Sequence, residues 1–592
     1  MTEYSVIPEP AYMVQKGRTF SFTSRTKLYF ENLGQNTSTA KYITSSLRHL
    51  HLRPSLAGHS HKNGITITLN DTLNPALGNE GYLLQVSPDE IRISANTETG
   101  LFYAFQTFVQ MLPADIHSTH YNRILLPECT ILDYPRFAWR GSCLDVARHF
   151  FTVKQIKRHL DLMASYKLNK FHWHLTDDQG WRLEIEKYPQ LCDFGAWRVD
   201  RTNAPWGEAG PARQGEEPTY GGYYTKDDVA EIVQYAAQRN IEVIPEIEFP
   251  SHCCAALAAY PNLACDDYPY TIALGPYWPH KAVLCVGKEE VMTFVLDVLD
   301  EVAQMFPGEY IHIGCEDICR DNWESCPNCS KRMHQIGASQ SAKLQDWFVS
   351  QLESFVNSKG KRIIGWDEML DCHSLGVDAV VMSARGDNNI IRAALRGNQV
   401  VAARSECCGL EAYQADSAYH PAGFPMLLPL SKAYLYDPIP HGLPANADTL
   451  ILGGECLLWT DYIQNYAQAE YFLLPRMCAL AEAFWTQADR KDWSRFQNKI
   501  EAHKQWLSAA GFNVCPGSFR PIVAIAEDQD YRIVTLATEV ANTFVYYTTD
   551  GSEPTLESAV YSAPLRLPKG TLLRTLSYYQ GQIREGVYNF PL

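Results

Sequence analysis

Val153–Lys167 (VKQIKRHLDLMASYK) reads as an amphipathic helix, and Lys170–Leu175 (KFHWHL) follows two residues later as a short apolar strand. The same alternation repeats from Trp139 to about Trp506. Further candidate strands are Gly141–Val146, Glu242–Ile247, Tyr310–Gly314, Arg362–Gly365, Ala379–Met382, Gln399–Ala403 and Thr449–Leu452. Helices such as Thr225–Arg239, Lys288–Met305 and Ser339–Ser358 separate them. Eight strands with intervening helices predict an α/β fold, a parallel (β/α)8 TIM barrel. The rival, an open doubly wound sheet, calls for a Gly-rich phosphate turn after the first strand, and none is present.

On either side the pattern changes. Residues 1–133 read as an α+β accessory module, with strands at Gly64–Leu69, Gly81–Val86 and Ile91–Ser94 and a helix over Gly100–Leu112. Asp133-Tyr134-Pro135-Arg136 marks the boundary to a barrel over 134–512. Beyond the linker Gly511–Arg520, residues 520–592 alternate at Tyr531–Ala537, Phe544–Tyr547 and Leu572–Leu576, which predicts a small C-terminal β-sandwich.

Composition excludes some partners. The net charge of −16 over 592 residues argues against nucleic acid or an anionic membrane, since neutralising phosphates takes clustered Lys and Arg. No apolar run reaches the ~18 residues needed to span a bilayer, so no membrane insertion is expected. Thirteen Trp and 33 Tyr suit sugar binding or a large aromatic core. The 17 Cys, an odd number, point to a reducing compartment more than to a disulfide scaffold. The start MTEYSVIPEP has no signal-peptide pattern, which leaves cytoplasmic location or secretion with a removed leader. A homodimer is left open.

Catalytic residues of such a barrel gather at the C-terminal ends of its strands. There the sequence places Asp177-Asp178, Glu246 to His252, Glu316-Asp317, Trp366-Asp367-Glu368, Glu411, and Trp459-Thr460-Asp461, while the first strand opens on Arg140. Acids, His and Trp in one place fit glycosidic cleavage. That reaction needs a carboxylic acid for the leaving oxygen, a nucleophile for the oxocarbenium-like centre, hydrogen-bond partners for hydroxyls and an aromatic platform. No cofactor is expected, and the His and carboxylates lack metal-site spacing such as HExxH. Cys326-Pro327-Asn328-Cys329 is a CxxC without a clear second pair. It is read as a structural loop feature, with zinc or redox chemistry as the alternative.

At these motifs the chain resembles family 20 glycoside hydrolases, the β-N-acetylhexosaminidases. The resemblance runs through Trp139-Arg140-Gly141 and Leu144–Phe150, through His172–Arg182, through Ile364-Gly365-Trp366, through Gly454-Glu455 with Leu458-Trp459-Thr460, and through Arg476 to Trp485. The tail Tyr547–Thr555 is similar to the C-terminal domain of chitobiases and hexosaminidases. The resemblance implies an exo-acting retaining enzyme that releases terminal β-linked hexosamine from glycans. In its substrate-assisted mechanism the 2-acetamido oxygen attacks the anomeric carbon. By position it implies Asp317 as acid/base, Glu316 as holder of the acetamido N–H, and Asp177 with His252 as relay. Arg140, Glu248, Glu411 and Asp461 would bind the sugar, and Trp366 and Trp459 would line the pocket.

The chain departs from that family at several of these positions. The family's Asp-Glu pair is reversed as Glu316-Asp317, Glu248 stands where the family has Asp and Ser251 where it has Gly, and the hydroxyl-binding Asp and Glu of the last strands appear as Glu411 and Asp461. Each carboxylate exchange moves a charge by one methylene, roughly 1.5 Å, and a misplacement of that order can cost about a hundredfold. Ala384 stands where the family has Trp, Gly409 where it has the acetamido-binding Tyr, and Cys315 where it has Gly. The expectation is a refitted, wider pocket for a modified or non-acetamido sugar, with Glu316 as a candidate nucleophile. Two other classes stand beside it: a non-catalytic carbohydrate-binding protein and a metal-dependent hydrolase. The structural alternatives are a buried ion-pair cluster for Glu316-Asp317, a core histidine for His252, an N-cap for Asp177, a barrel-bottom salt bridge for Arg140, and core packing for Trp366 and Trp459.

Overall fold

A computed structural model of the chain describes residues 4–276 and 282–592. Eight parallel strands close a barrel: β1 (Trp139–Asp145), β2 (Lys170–His174), β3 (Glu242–Phe249), β4 (Tyr310–Gly314), β5 (Arg362–Trp366), β6 (Val380–Ser383), β7 (Val400–Ala402) and β8 (Ile451–Cys456). β8 pairs with β1 through Gly453–Trp139 to Cys456–Ser142 and completes the cylinder. The (β/α)8 expectation is borne out. The helix after β1 spans Val153–Ser165. It starts where Gln155 Oε1 accepts a hydrogen bond from the Thr152 N–H (2.7 Å), and it buries Ile156, His159, Leu160 and Met163.

The eighth strand lies later in the chain than the sequence predicts, at Ile451–Cys456 rather than Thr449–Leu452. Gly453 and Gly454 read as strand breakers. In the fold they are what permits the pairing: a Cβ on Gly453 would sit 1.9 Å from the Trp139 carbonyl oxygen, and one on Gly454 would sit 2.3 Å from the Phe484 ring.

The barrel interior is filled by Trp139, Ile244, Tyr310, Ile364, Val380, Met382 and Val401. An ionic layer is embedded among them. Buried Glu246 contacts His172 (2.9 Å), His312 (2.8 Å) and His174, and it accepts a hydrogen bond from Trp366 Nε1 (2.8 Å). Glu455 takes His172 Nδ1 (2.7 Å) and Trp139 Nε1 (2.9 Å). A charge there survives burial because it is paired on every side.

Before the barrel lies a seven-stranded mixed sheet with helices Ser38–His49 and Glu98–Gln110. Arg140 joins this module to the barrel. It is the second residue of β1, at the end of the barrel opposite the catalytic mouth, and it is wholly buried. Its guanidinium donates to Glu80 (2.8 and 3.2 Å), to the carbonyls of Phe137 (2.7 Å) and Lys167 (2.8 Å), and to Tyr103 Oη (3.1 Å). This corrects the sequence expectation: Arg140 is the barrel-bottom salt bridge and does not bind substrate. Asp133 beside it accepts from Tyr82, Lys167 and Trp485. Arg140→Ala is therefore expected to cost about 3 kcal/mol of stability by leaving buried partners unpaired, while KM stays within about twofold. Thermal unfolding and steady-state kinetics on one preparation check this.

At the C-terminus a three-stranded and a four-stranded antiparallel sheet share one core of Val534, Leu536, Val545, Leu573 and Leu592, the expected β-sandwich. Among the described residues no helix is long and apolar enough to cross a membrane.

Candidate active site

β1 ends at Asp145, and that residue builds the turn beyond it. Its Oδ1 accepts the N–H groups of Ala147 (2.8 Å) and Arg148 (3.1 Å), and its Oδ2 accepts the Thr460 N–H (3.0 Å) from the loop after β8. The turn sets the Arg148 guanidinium over the Trp459 ring, 5.2 Å from its centroid. Arg148 Nη2 lies 2.7 Å from Asp177 Oδ2, and Nη1 lies 3.3 Å from Asp145. Asp177 Oδ1 lies 3.2 Å from His252 Nδ1, and His252 Nε2 lies 3.8 Å from Asp317 Oδ2. The structure thus joins three of the predicted catalytic residues, Asp177, His252 and Asp317, in one line across the ends of β2, β3 and β4. Arg148 belongs to that line and was not singled out from sequence.

The backbone around the pair is constrained. His252 (φ 47°), Cys315 (φ 71°) and Asp317 (φ 49°) occupy the left-handed region that non-glycine residues avoid, a signature that concentrates at functional sites. The Ser251 hydroxyl donates to the Glu316 carbonyl, which fixes the loop after β3 to the loop after β4.

Electrostatics separate the two adjacent carboxyls. The His252 imidazole, 3.8 Å away, lowers the Asp317 pKa, partial burial opposes that, and the Arg385 charge reinforces the lowering. Arg385 Nη2 sits 2.8 Å from Asp317 Oδ1. Burial instead pushes Glu316 up to about 7, with Glu246 and Asp317 adding to the rise against His252 and Arg148. Asp177 is held well below the usual carboxylate range, because Arg148, His252 and His174 outweigh its burial. His252 is raised well above its ordinary value: burial disfavours the imidazolium, but Asp177, Asp178 and Asp317 overcome it. At neutral pH the line is charged, and Glu316 beside it is poised near its midpoint.

The predicted sugar-binding residues divide into groups. Glu248 is buried at the end of β3, and a Cβ at Gly314 would lie 1.8 Å from its Oε2. Burial, then repulsion from Glu246, raises its pKa well above normal. Burial also lifts Glu411, to about 8, and raises Asp461. Carboxyls raised this far, as at Glu248 and Glu411, can both donate and accept hydrogen bonds, as sugar hydroxyls require. Trp366 is 2% exposed and forms the floor, whereas Trp459 is half-buried between Arg148 and His174.

Arg385 is the second residue the sequence did not reveal. Asp367 Oδ2 accepts the N–H groups of Ala384 (2.7 Å) and Arg385 (2.9 Å), which presents the Arg385 side chain to Asp317 and to Glu368 (2.6 Å). Ala384 packs against the Trp366 and Trp459 cluster, with no aromatic ring at its position. At Gly409 a Cβ would meet the Ser405 carbonyl at 2.6 Å and Glu411 Oε1 at 2.8 Å, so the local backbone leaves no room for a phenol there.

Comparison with known proteins bears on this site. Residues 137–488 match the family model for the glycosyl hydrolase family 20 catalytic domain, residues 3–134 its domain 2, and residues 534–592 the "Fn3 associated" model. A β-hexosaminidase of Porphyromonas gingivalis is 37% identical over 96% of this chain and 72% of its own length. One from Vibrio furnissii is 32% identical over 81% and 76%. Among solved structures, an exo-β-N-acetylglucosaminidase of Vibrio harveyi in complex with N-acetylglucosamine superposes with a TM-score of 0.75 at 30% identity, covering 86% of this chain and 78% of that one. A β-N-acetylhexosaminidase of Bacteroides fragilis gives 0.72 at 28% identity, covering 87% and 97%. With two models matched in sequence order across the barrel and the module before it, the chain belongs to glycosyl hydrolase family 20 and is a β-hexosaminidase-type glycoside hydrolase.

Proposed function

We propose that the chain is an exo-acting, retaining β-hexosaminidase in which Glu316 donates the proton and Asp317 acts as the ionised partner. The observation that carries this reading is the unequal setting of the two adjacent carboxyls at the barrel mouth: Asp317 faces Arg385 Nη2 at 2.8 Å and His252 Nε2 at 3.8 Å, and burial pushes Glu316 up. A pair whose environments push its pKa values apart divides into acid and base accordingly. Glu316, raised to about 7, holds a proton to give to the glycosidic oxygen. Asp317, kept charged by His252 and Arg385, accepts the acetamido N–H and steadies the positive charge as the acetamido oxygen attacks. The roles implied by family position are then reversed along with the residues. Arg148, Asp461 and the carboxyls of Glu248 and Glu411, raised by burial, take the sugar hydroxyls, and Trp459 takes the apolar face. The division at 1–133, 134–512 and 520–592 belongs to the same reading.

Ala384 and Gly409 favour a second reading, a substrate without the 2-acetamido group. A protein carboxylate is then the nucleophile. Because a nucleophile must be ionised, Asp317 fits that role better than Glu316. A panel of aryl β-GlcNAc, β-GalNAc, β-glucosaminide, β-glucoside and β-galactoside separates the readings. The first expects kcat/KM for the acetamido sugars to exceed the others by about a hundredfold. Equal or better turnover of the sugars lacking the acetamido group overturns it in favour of the second.

A further inference from the structure

Four cysteines that are far apart in sequence converge behind the catalytic loops. Cys265, Cys285, Cys326 and Cys329 bring their sulfurs within 4.8 Å of one another, and three of the four are buried. The Sγ–Sγ separations are 3.5 Å (Cys285–Cys326), 3.6 Å (Cys285–Cys329) and 3.8 Å (Cys265–Cys329). A disulfide would need about 2.05 Å. Four thiolates on a tetrahedral zinc ion, each about 2.3 Å from the metal, lie about 3.8 Å apart. The observed spacing is that of the second arrangement.

The backbone is shaped to hold the cluster together. Cys326 precedes the helix Pro327–Gln335, and Cys329 lies in its first turn, where the Ser330 N–H bonds to the Cys326 carbonyl (2.9 Å). That turn packs directly on Gly287: a Cβ there would be 2.3 Å from Cys329 N. Lys288 Nζ donates to the carbonyls of Asn262 (2.7 Å) and Ala264 (2.8 Å), which ties down the segment that carries Cys265. The Cys285 N–H bonds to the Leu263 carbonyl (2.9 Å). The CxxC at 326–329 therefore has a second pair after all. No sequence motif marks it, because Cys265 and Cys285 stand apart from each other and precede the helix by a whole βα unit.

We propose that Cys265, Cys285, Cys326 and Cys329 bind one structural zinc ion that staples the loop after β3 to the loop after β4. All four positions of the ion are filled by protein, so the site is closed to substrate and structural. Zinc binding displaces the thiol protons. The staple acts on catalytic parts at one remove. The Leu284 N–H bonds to the Pro250 carbonyl (2.9 Å), two residues before His252, and Trp323, on the segment that follows Asp317, donates to the Leu284 carbonyl (2.9 Å). The ion thereby fixes the distance between His252 and Asp317.

The test uses the full-length chain, free of affinity tag, expressed in zinc-supplemented medium and dialysed against buffer without metal. Elemental analysis is expected to give about one zinc per chain. A mercurial that caps thiols should release it, read with a chromogenic zinc indicator. Cys326→Ser/Cys329→Ser is expected to hold less than about 0.1 equivalent, while a Cys129→Ser control keeps the full amount. If the double variant does not fold, release from the wild-type chain by the mercurial still decides. Less than about 0.1 equivalent in the zinc-loaded wild type overturns the proposal. So does iron in zinc's place, or a disulfide among the four found by peptide mass mapping.

Discussion

Glu316→Gln is expected to lower kcat/KM for a substrate with a poor leaving group by about 10³–10⁴, the upper range for loss of a general acid. The amide keeps the shape of the side chain and removes the proton. A dinitrophenyl glycoside, whose leaving group departs without protonation, should lose only about tenfold. The pH dependence follows from the sign of the shift. The pKa of Glu316 is raised, so the active, protonated form exists below about 7 and is lost as pH climbs through that value. Wild-type kcat/KM should fall on the alkaline side with a midpoint near 7, and the variant acting on the activated substrate should lack that limb.

The second large effect is expected at Arg148. Arg148→Ala removes the cation that faces Asp177 at 2.7 Å and Asp145 at 3.3 Å and that stacks on Trp459. Two buried carboxylates lose their partner, and the sugar loses a charged donor. A drop in kcat/KM of about 10³ is expected, equivalent to about 4 kcal/mol. Arg148→Lys should recover only part of it, because an ammonium cannot reproduce the planar fork. Stability should change in a defined direction. Asp177 is held below its unfolded pKa, so it stabilises the fold at pH values above about 4, and that contribution fades as pH falls. Without Arg148 Asp177 keeps only His252 and His174 as stabilising partners. The variant should unfold at a lower temperature at pH 7 and show a flatter decline of Tm as pH falls below about 4. Unchanged Tm–pH curves would separate Arg148 from Asp177.

How much of this was legible in the sequence depended on how local the deciding physics was. β2 and β4 were readable nearly to the residue, because short apolar runs between helices signal buried parallel strands. β8 was displaced because the glycines that let it approach β1 and Phe484 look like strand breakers until those neighbours are known. The acids at the strand ends were found by counting to the end of each strand. Arg140 opens β1, which runs from Trp139 to Asp145, so the catalytic end of that strand presents Arg148 instead. Arg385 carries no motif. Its place follows from Asp367 gripping the backbone at Ala384 and Arg385, a contact between two loops. The division of labour between Glu316 and Asp317 was out of reach for the same reason. It depends on which carboxyl is buried and which meets His252 and Arg385, and sequence order points the other way.

The central claim is that the proton resides on Glu316. The most direct measurement compares Glu316→Gln and Asp317→Asn on two β-GlcNAc glycosides, one with a dinitrophenol leaving group and one with a simple alcohol. Glu316→Gln is expected to be far more damaging on the alcohol than on the dinitrophenol, and Asp317→Asn to slow both alike. If Asp317→Asn is the variant whose activity is spared by the better leaving group, while Glu316→Gln loses both equally, the proton belongs to Asp317 and the account is contradicted.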